Sequence, residues 1–179
     1  MSHVPARIGP FEIRSQLGKG GMGVVYLAHD PSLDRLVAIK VLGVLDEDVQ
    51  RRFLNEARFA ARVQHPHIVS IYVVGEHEGR PYIAMEYIAG ETLAAILRGP
   101  DSVGLGRKVQ WLSELASGLE FAHRNGIVHR DVKPANLIIS RDSGLLRLLD
   151  FGIARDHESE ATMGAGRRRW KRSTQSGRS

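Results

Sequence analysis

The chain has 179 residues, 42% of them hydrophobic and 25% charged, and it contains no cysteine. That length can bury a core as one domain or two small ones, and the absence of cysteine excludes disulfides, thiolate metal sites and a cysteine nucleophile. The net charge of +5 resides in residues 164–179, where Arg167, Arg168, Arg169, Lys171, Arg172 and Arg178 stand without an acid; removing these six from the 25 basic residues leaves 19 against 20 acids.

No apolar run approaches the roughly 18 residues of a membrane span, and the start, MSHVPARIGP, lacks the apolar centre of a signal peptide. The expectation is a cytoplasmic protein with no membrane span. The basic tail has one aromatic, Trp170, and no recognition motif, so specific nucleic-acid binding is not expected.

Residues 11–17 alternate Phe11, Ile13 and Leu17 with Glu12, Arg14 and Gln16, the period of a half-buried strand. GKGGMG follows at 18–23, and then VVYLAH, a second strand. Glycines at 18, 20 and 23 remove side chains where backbone approaches something bulky, and free amides there can cradle phosphate oxygens; a mobile hairpin turn is the alternative. Asp30, Pro31 and Ser32 mark a turn, and residues 36–42, LVAIKVL, form a third strand with Lys40 as its lone charge. Such a lysine either snorkels from an edge strand or enters a cleft and meets an anion.

A helix is predicted next, with Asp46, Glu47 and Asp48 in its first turn and Val49, Phe53, Ala57 and Ala60 on one buried face. Glu56 lies on or beside that face and calls for a cation. Lys40 is the proposed partner; Arg52 or Arg62 on the same helix is the alternative. His65, Pro66 and His67 end the helix, and no third ligand lies near enough to favour a metal over a turn. Residues 68–74 and 81–88 read as two strands joined by the loop GEHEGR, and residues 92–97 as a short helix broken by Gly99 and Pro100. A longer helix is expected over 107–125, with Val109, Leu112, Leu115, Ala116, Leu119 and Ala122 as its stripe and Gly126 just past its end.

Then comes HRDVKPAN at 129–136, a dense polar cluster before the apolar run 137–139. Asp131 can accept a proton, Lys133 can hold a phosphate, and Asn136 can ligate a metal through its amide oxygen, which are the parts of a phosphoryl-transfer site. His129 has two open roles, packing or proton transfer. A turn at 141–144 returns the chain through 145–149 to Asp150, Phe151 and Gly152. This hairpin places the oxygens of Asn136 and Asp150 where one magnesium-nucleotide can bridge them.

In this order, GxGxxGxV, VAIK, Glu56, HRDVKPAN and DFG together resemble the protein kinases, and specifically the serine/threonine branch in its bacterial form. The resemblance covers roughly residues 8–166. It implies an α+β, protein-kinase-like fold: a complete small lobe with a five-stranded antiparallel sheet and one helix, and the first part of a mainly helical large lobe. It also implies ATP and Mg²⁺ as cofactors and protein Ser/Thr hydroxyls as acceptors. Lys40, held by Glu56, would orient the phosphates with the glycine-loop amides. Asp131 would be the base, Lys133 would neutralise the moving phosphate, Asn136 and Asp150 would bind metal, and His129 would pack. The nucleotide would also meet Leu17, Gly18, Gly20, Gly23, Val25, Ala38, Met85, Ile138 and the backbone of Glu86 and Ile88.

The expected division is an extension over 1–10, a small lobe and hinge over 11–88, a partial large lobe over 89–163 and a basic tail over 164–179. After DFGIAR the sequence departs from the family: ATMGAG is followed by RRRWKRSTQSGRS, with no APE motif. The expectation is a truncated or shifted reading frame near Gly166, and poor folding of the large-lobe portion as the long helix loses apolar partners. Thr162 is the candidate phosphosite by position. A non-catalytic nucleotide-binding or scaffolding module stands as the second reading, since it would need the phosphate-contacting residues but no substrate platform.

Overall fold

The computed structural model describes residues 5–20, 23–43, 47–100 and 102–149, with side chains throughout except at 47–49, 52, 53, 56 and 59. The expectations for Gly21, Met22, Asp46, Asp150 and Thr162, and for the side chains of Val49, Phe53 and Glu56, lie outside that set.

Alternating apolar residues build a first, wholly antiparallel sheet from β1 (Arg7–Ile8), β2 (Phe11–Gly20), β3 (Gly23–Asp30), β4 (Arg35–Leu42), β5 (Ile71–His77) and β6 (Arg80–Glu86), in the order β1-β2-β3-β4-β6-β5. It has six strands, where five were expected. The additional one arises because Gly9, at φ 54°, turns the chain back so that Ile8 pairs with Phe11 and is buried. The sheet therefore begins before the expected boundary at residue 11.

The strand expected over 68–74 starts at Ile71, because residues 67–69 are drawn into bonds with another strand, described below. The β5–β6 connection is correspondingly tight. Only Glu78 and Gly79 lie between the strands, both at positive φ, as a two-residue hairpin of the primed type requires.

Each face of the sheet carries its own core. On one, Ile8, Phe11, Ala28, Val37, Ile39, Tyr82 and Ala84 pack together, with the Phe11 and Tyr82 rings edge to face at 6.2 Å. On the other, Ala38, Leu42, Ile83 and Met85 meet Ala57 of helix α1 (Glu47–Ala60). Small residues at 57 and 60 let that helix lie close, and both are buried as expected.

The second sheet has three strands, β7 (Gly90–Thr92), β8 (Leu137–Ser140) and β9 (Leu146–Leu148). β8 and β9 are the predicted hairpin; β7 was not foreseen. It can approach β8 because position 90 has no side chain: a Cβ there would stand 2.0 Å from the Ile139 carbonyl oxygen. Between these strands run helix α2 (Leu93–Ile96), capped by the Thr92 hydroxyl accepting from the Ala95 amide, and helix α3 (Leu105–Arg124).

The expected stripe of α3 is only partly buried. Leu115, Leu119 and Ala122 pack inward, but Val109 and Leu112 are 57% and 65% exposed and Ala116 is exposed as well; Leu105, which begins the helix ahead of that stripe, is 77% exposed. The inward face is instead Trp111, Glu114, Gly118 and Ala122. Trp111 fills the core with Leu137, Leu146 and Leu148, while Glu114 accepts from the Leu146 amide at 2.8 Å and pins α3 to β9. None of the described helices is long and apolar enough to cross a membrane.

Candidate active site

Lys40 sits on a central strand, between β3 and β6, so the edge-strand reading does not hold. Across the sheet it pairs with Val25 and Ile83, and Ala38, two residues before it, pairs with Met85. Directly opposed residues share a face, so Val25, Ala38, Lys40 and Met85 line the face that also carries α1. Lys40 is half-buried there. Ile88 packs onto the same cluster from just beyond β6.

The three glycines of the loop differ in what the fold asks of them. At Gly23, φ is 143° and a Cβ would lie 2.0 Å from the Val41 carbonyl oxygen, so the strand contact itself requires glycine. At Gly18 and Gly20 a Cβ would meet nothing within 4 Å. Both are paired with β3, through Val25 and Gly23, and the space a side chain would take is open. Leu17, beside them, is exposed.

The catalytic-loop residues converge through a few well-defined bonds. His129 is fully buried; one ring nitrogen, Nε2, lies 2.8 Å from the Leu149 carbonyl oxygen and the other, Nδ1, 3.3 Å from the Asp131 amide. A carbonyl can only accept and an amide can only donate, so Nε2 carries the proton and Nδ1 receives one. Both ring nitrogens are thus held by backbone groups, an arrangement that fits packing. Arg130 follows at φ 58°, a conformation uncommon for a residue with a side chain, and Asp131 is turned by it toward Lys133 and Asn136.

Lys133 Nζ donates to Asp131 Oδ2 at 2.7 Å, and Asn136 Nδ2 donates to the same oxygen at 3.0 Å and to the Asp131 carbonyl at 2.9 Å. With its amide nitrogen so engaged, the amide oxygen is the atom of Asn136 that could ligate a hard cation. Asn136 closes a 3-10 turn, Pro134–Asn136, and its carbonyl accepts from the Leu149 amide at 2.8 Å, which carries the chain to the threshold of Asp150. Ile138 follows on β8, half-buried and paired with Arg147.

One residue with a part in this region, Arg147, was not foreseen. Arg147 donates to the Glu86 carboxylate and to the Ile68 carbonyl, the latter at 3.2 Å. His67 Nδ1 contacts the Leu146 carbonyl oxygen at 3.0 Å, and His65 lies against Phe121 with ring centroids 5.1 Å apart. Burial, with the charges of His67 and Arg147 adding to it, holds His65 below its ordinary pKa. Both rings are thus occupied by protein contacts.

A curled antiparallel sheet with one helix on its lysine-bearing face, joined to a hairpin that presents a braced aspartate, is an architecture of the protein kinase type. Residues 11–172 match the protein kinase domain family, and the chain belongs to it. It is 43% identical over 151 residues to the serine/threonine-protein kinase PknJ of Mycobacterium tuberculosis, covering 81% of this chain and 26% of PknJ. It is 42% identical over 152 residues to PknB of Mycolicibacterium smegmatis, covering 81% of this chain and 24% of PknB. Among solved structures, a point mutant of the PknI kinase domain of Mycobacterium tuberculosis superposes with a TM-score of 0.78 at 33% identity, covering 92% of this chain and 69% of that one. The chain spans about a quarter of the length of the curated relatives it matches.

Proposed function

We propose that this chain binds ATP with Mg²⁺ and transfers the γ-phosphoryl group to serine or threonine hydroxyls of proteins. The observation that carries the reading is the brace on Asp131, whose Oδ2 receives both Lys133 and Asn136. The names of the relatives favour Ser/Thr acceptors, as does a lysine two residues after the aspartate.

Asp131 positions the acceptor hydroxyl and takes its proton as the oxygen attacks phosphorus in line with the departing ADP oxygen. Lys133, already beside that carboxylate, neutralises the equatorial oxygens of the moving group. Lys40, together with the amides around Gly18 and Gly20, aligns the phosphates, and Glu56 steadies Lys40. Asn136 and Asp150 offer the oxygens that would hold Mg²⁺, which would supply charge neutralisation to the phosphates. Val25, Ala38, Met85 and Ile138 sandwich the adenine, with the backbone of Glu86 and Ile88 along its edge. In the same reading Thr162 is an acceptor for regulatory phosphorylation, and the site of action is the ATP-rich cytoplasm.

The test is phosphoryl transfer from γ-labelled ATP to a generic basic protein, run beside Asp131→Asn. Transfer that falls about 10²- to 10⁴-fold in the variant supports the proposal. The exposed face of α3 favours a second reading, a nucleotide-binding module without transfer, because the helix that leads into the catalytic loop is uncovered along Leu105, Val109 and Leu112. Saturable ATP binding with no Asp131-dependent transfer would establish that reading instead.

A further inference from the structure

We propose that Arg147 and Glu86 form a tie between the two sheets that holds the hinge in register with the adenine floor, making Arg147 a positioning residue for ATP. This rests on the nucleotide reading given above. Glu86 ends β6, where the chain leaves the first sheet, and Arg147 lies at the centre of β9 in the second, paired with Ile138. Sixty-one residues separate them in sequence, yet the guanidinium donates directly to the carboxylate.

The same two side chains gather a third segment. Arg147 donates to the Ile68 carbonyl at 3.2 Å, and the Glu86 carboxylate accepts from the Ser70 amide at 3.2 Å. Backbone bonds already splint this segment on both sides: Val69 donates to the Leu148 carbonyl and Leu148 to the His67 carbonyl, while the Glu86 amide donates to the Ser70 carbonyl at 2.9 Å. The fold therefore stands without the side-chain pair. What the pair adds is a direct bond from hinge to floor strand.

The pair is largely withdrawn from water, at 18% and 24% side-chain exposure, so it is less screened than a surface ion pair. Arg147 also keeps its Nε buried without a hydrogen-bond partner. A guanidinium held at that cost is poorly explained by packing alone. The adenine edge and the adenine floor belong to different sheets, and affinity for a flat ligand between them depends on their being set before it arrives. Both bonds leave one nitrogen, Nη2, carried at the end of a rigid planar group, a placement that the flexible lysine ammonium reproduces incompletely.

The experiment uses the whole chain with Arg147→Ala, Arg147→Lys, Glu86→Ala and the Arg147→Ala/Glu86→Ala double variant. Amide hydrogen exchange is read by NMR without nucleotide, and Mg-ATP affinity by calorimetry. Arg147→Ala should speed exchange at Ser70 and Glu86 while Ile39, in the far core, stays protected. It should weaken Mg-ATP about tenfold, with phosphoryl transfer from the saturated complex unchanged. Arg147→Lys should fall between, and the double variant should be no weaker than either single one. Unchanged exchange at Ser70 and Glu86 would overturn the tie, whatever the nucleotide does. Faster exchange with unaltered affinity would overturn the positioning role. If the unaltered protein takes up no Mg-ATP, the nucleotide reading and the role in ATP binding fall together, and the exchange data still decide whether the tie exists.

Discussion

Asp131 accepts Lys133 at 2.7 Å and Asn136 at 3.0 Å on one oxygen, and these three residues could be singled out from sequence because their chemistry is dense and local. The glycines could not be sorted in the same way. Spacing marks positions 18, 20 and 23 alike, whereas only the folded sheet reveals that a Cβ at 23 collides with the Val41 carbonyl and one at 18 or 20 does not. Gly23→Ala should therefore destabilise the protein by about 2 to 3 kcal/mol, from backbone strain and the clash. Gly20→Ala should leave stability within about 0.5 kcal/mol and weaken Mg-ATP binding. Chemical denaturation paired with ATP titration checks both. Arg147 was illegible for a different reason: it reads as the polar member of an alternating strand, and its partner is fixed only when two sheets meet.

At the scale of elements, α3 shows where periodicity runs out. Two stripes on this helix are apolar enough to face a core, one through Leu105, Val109, Leu112 and Ala116 and one through Trp111, Leu115, Gly118 and Ala122. Spacing cannot choose between them. Packing chose the second, where Gly118 lets the His67 carbonyl come near and Trp111 covers the β8–β9 hairpin. Leu112→Lys should accordingly change stability by no more than about 0.5 kcal/mol and reduce self-association in light scattering, whereas Trp111→Ala should cost about 3 to 5 kcal/mol.

The junction of α1 with β5 carries a pH dependence. His65 is held below the ordinary histidine value of 6.5 by burial and by its charged neighbours. A lowered folded pKa means that the unfolded chain takes up the proton first, so this contribution is fully present above about pH 6.5 and is lost as pH falls through the folded value. Unfolding free energy should decline on acidification from pH 7 toward 5, and His65→Asn should flatten that decline. An unchanged slope in the variant would place the titration elsewhere.

For the whole molecule, the order of the longer strands and helices followed from hydrophobic period and turn residues, and two short strands, β1 and β7, were added to it. Less legible was how the two sheets are joined. The segment between α1 and β5 reads in sequence as the start of a strand, yet His67, Ile68 and Val69 serve as a splint, bonded to β9 by Leu148 and Arg147. Contacts of this kind join residues about eighty positions apart, and nothing in a local window announces them. They place Lys40, the bare glycines and the loop of Asp131 in one molecule-wide arrangement, the one that the proposed nucleotide site on the α1-bearing face of the first sheet requires.

Titration of the isotopically labelled chain with Mg-ATP, followed through its backbone amide resonances, tests that arrangement most directly. The account predicts saturable shifts at Gly18, Gly20, Val25, Ala38, Met85, Ile88 and Ile138, with Phe11, Ala28 and Tyr82 in the opposite core little moved. Shifts concentrated on the Phe11–Tyr82 face, or no saturable shift at any concentration of Mg-ATP, would contradict it.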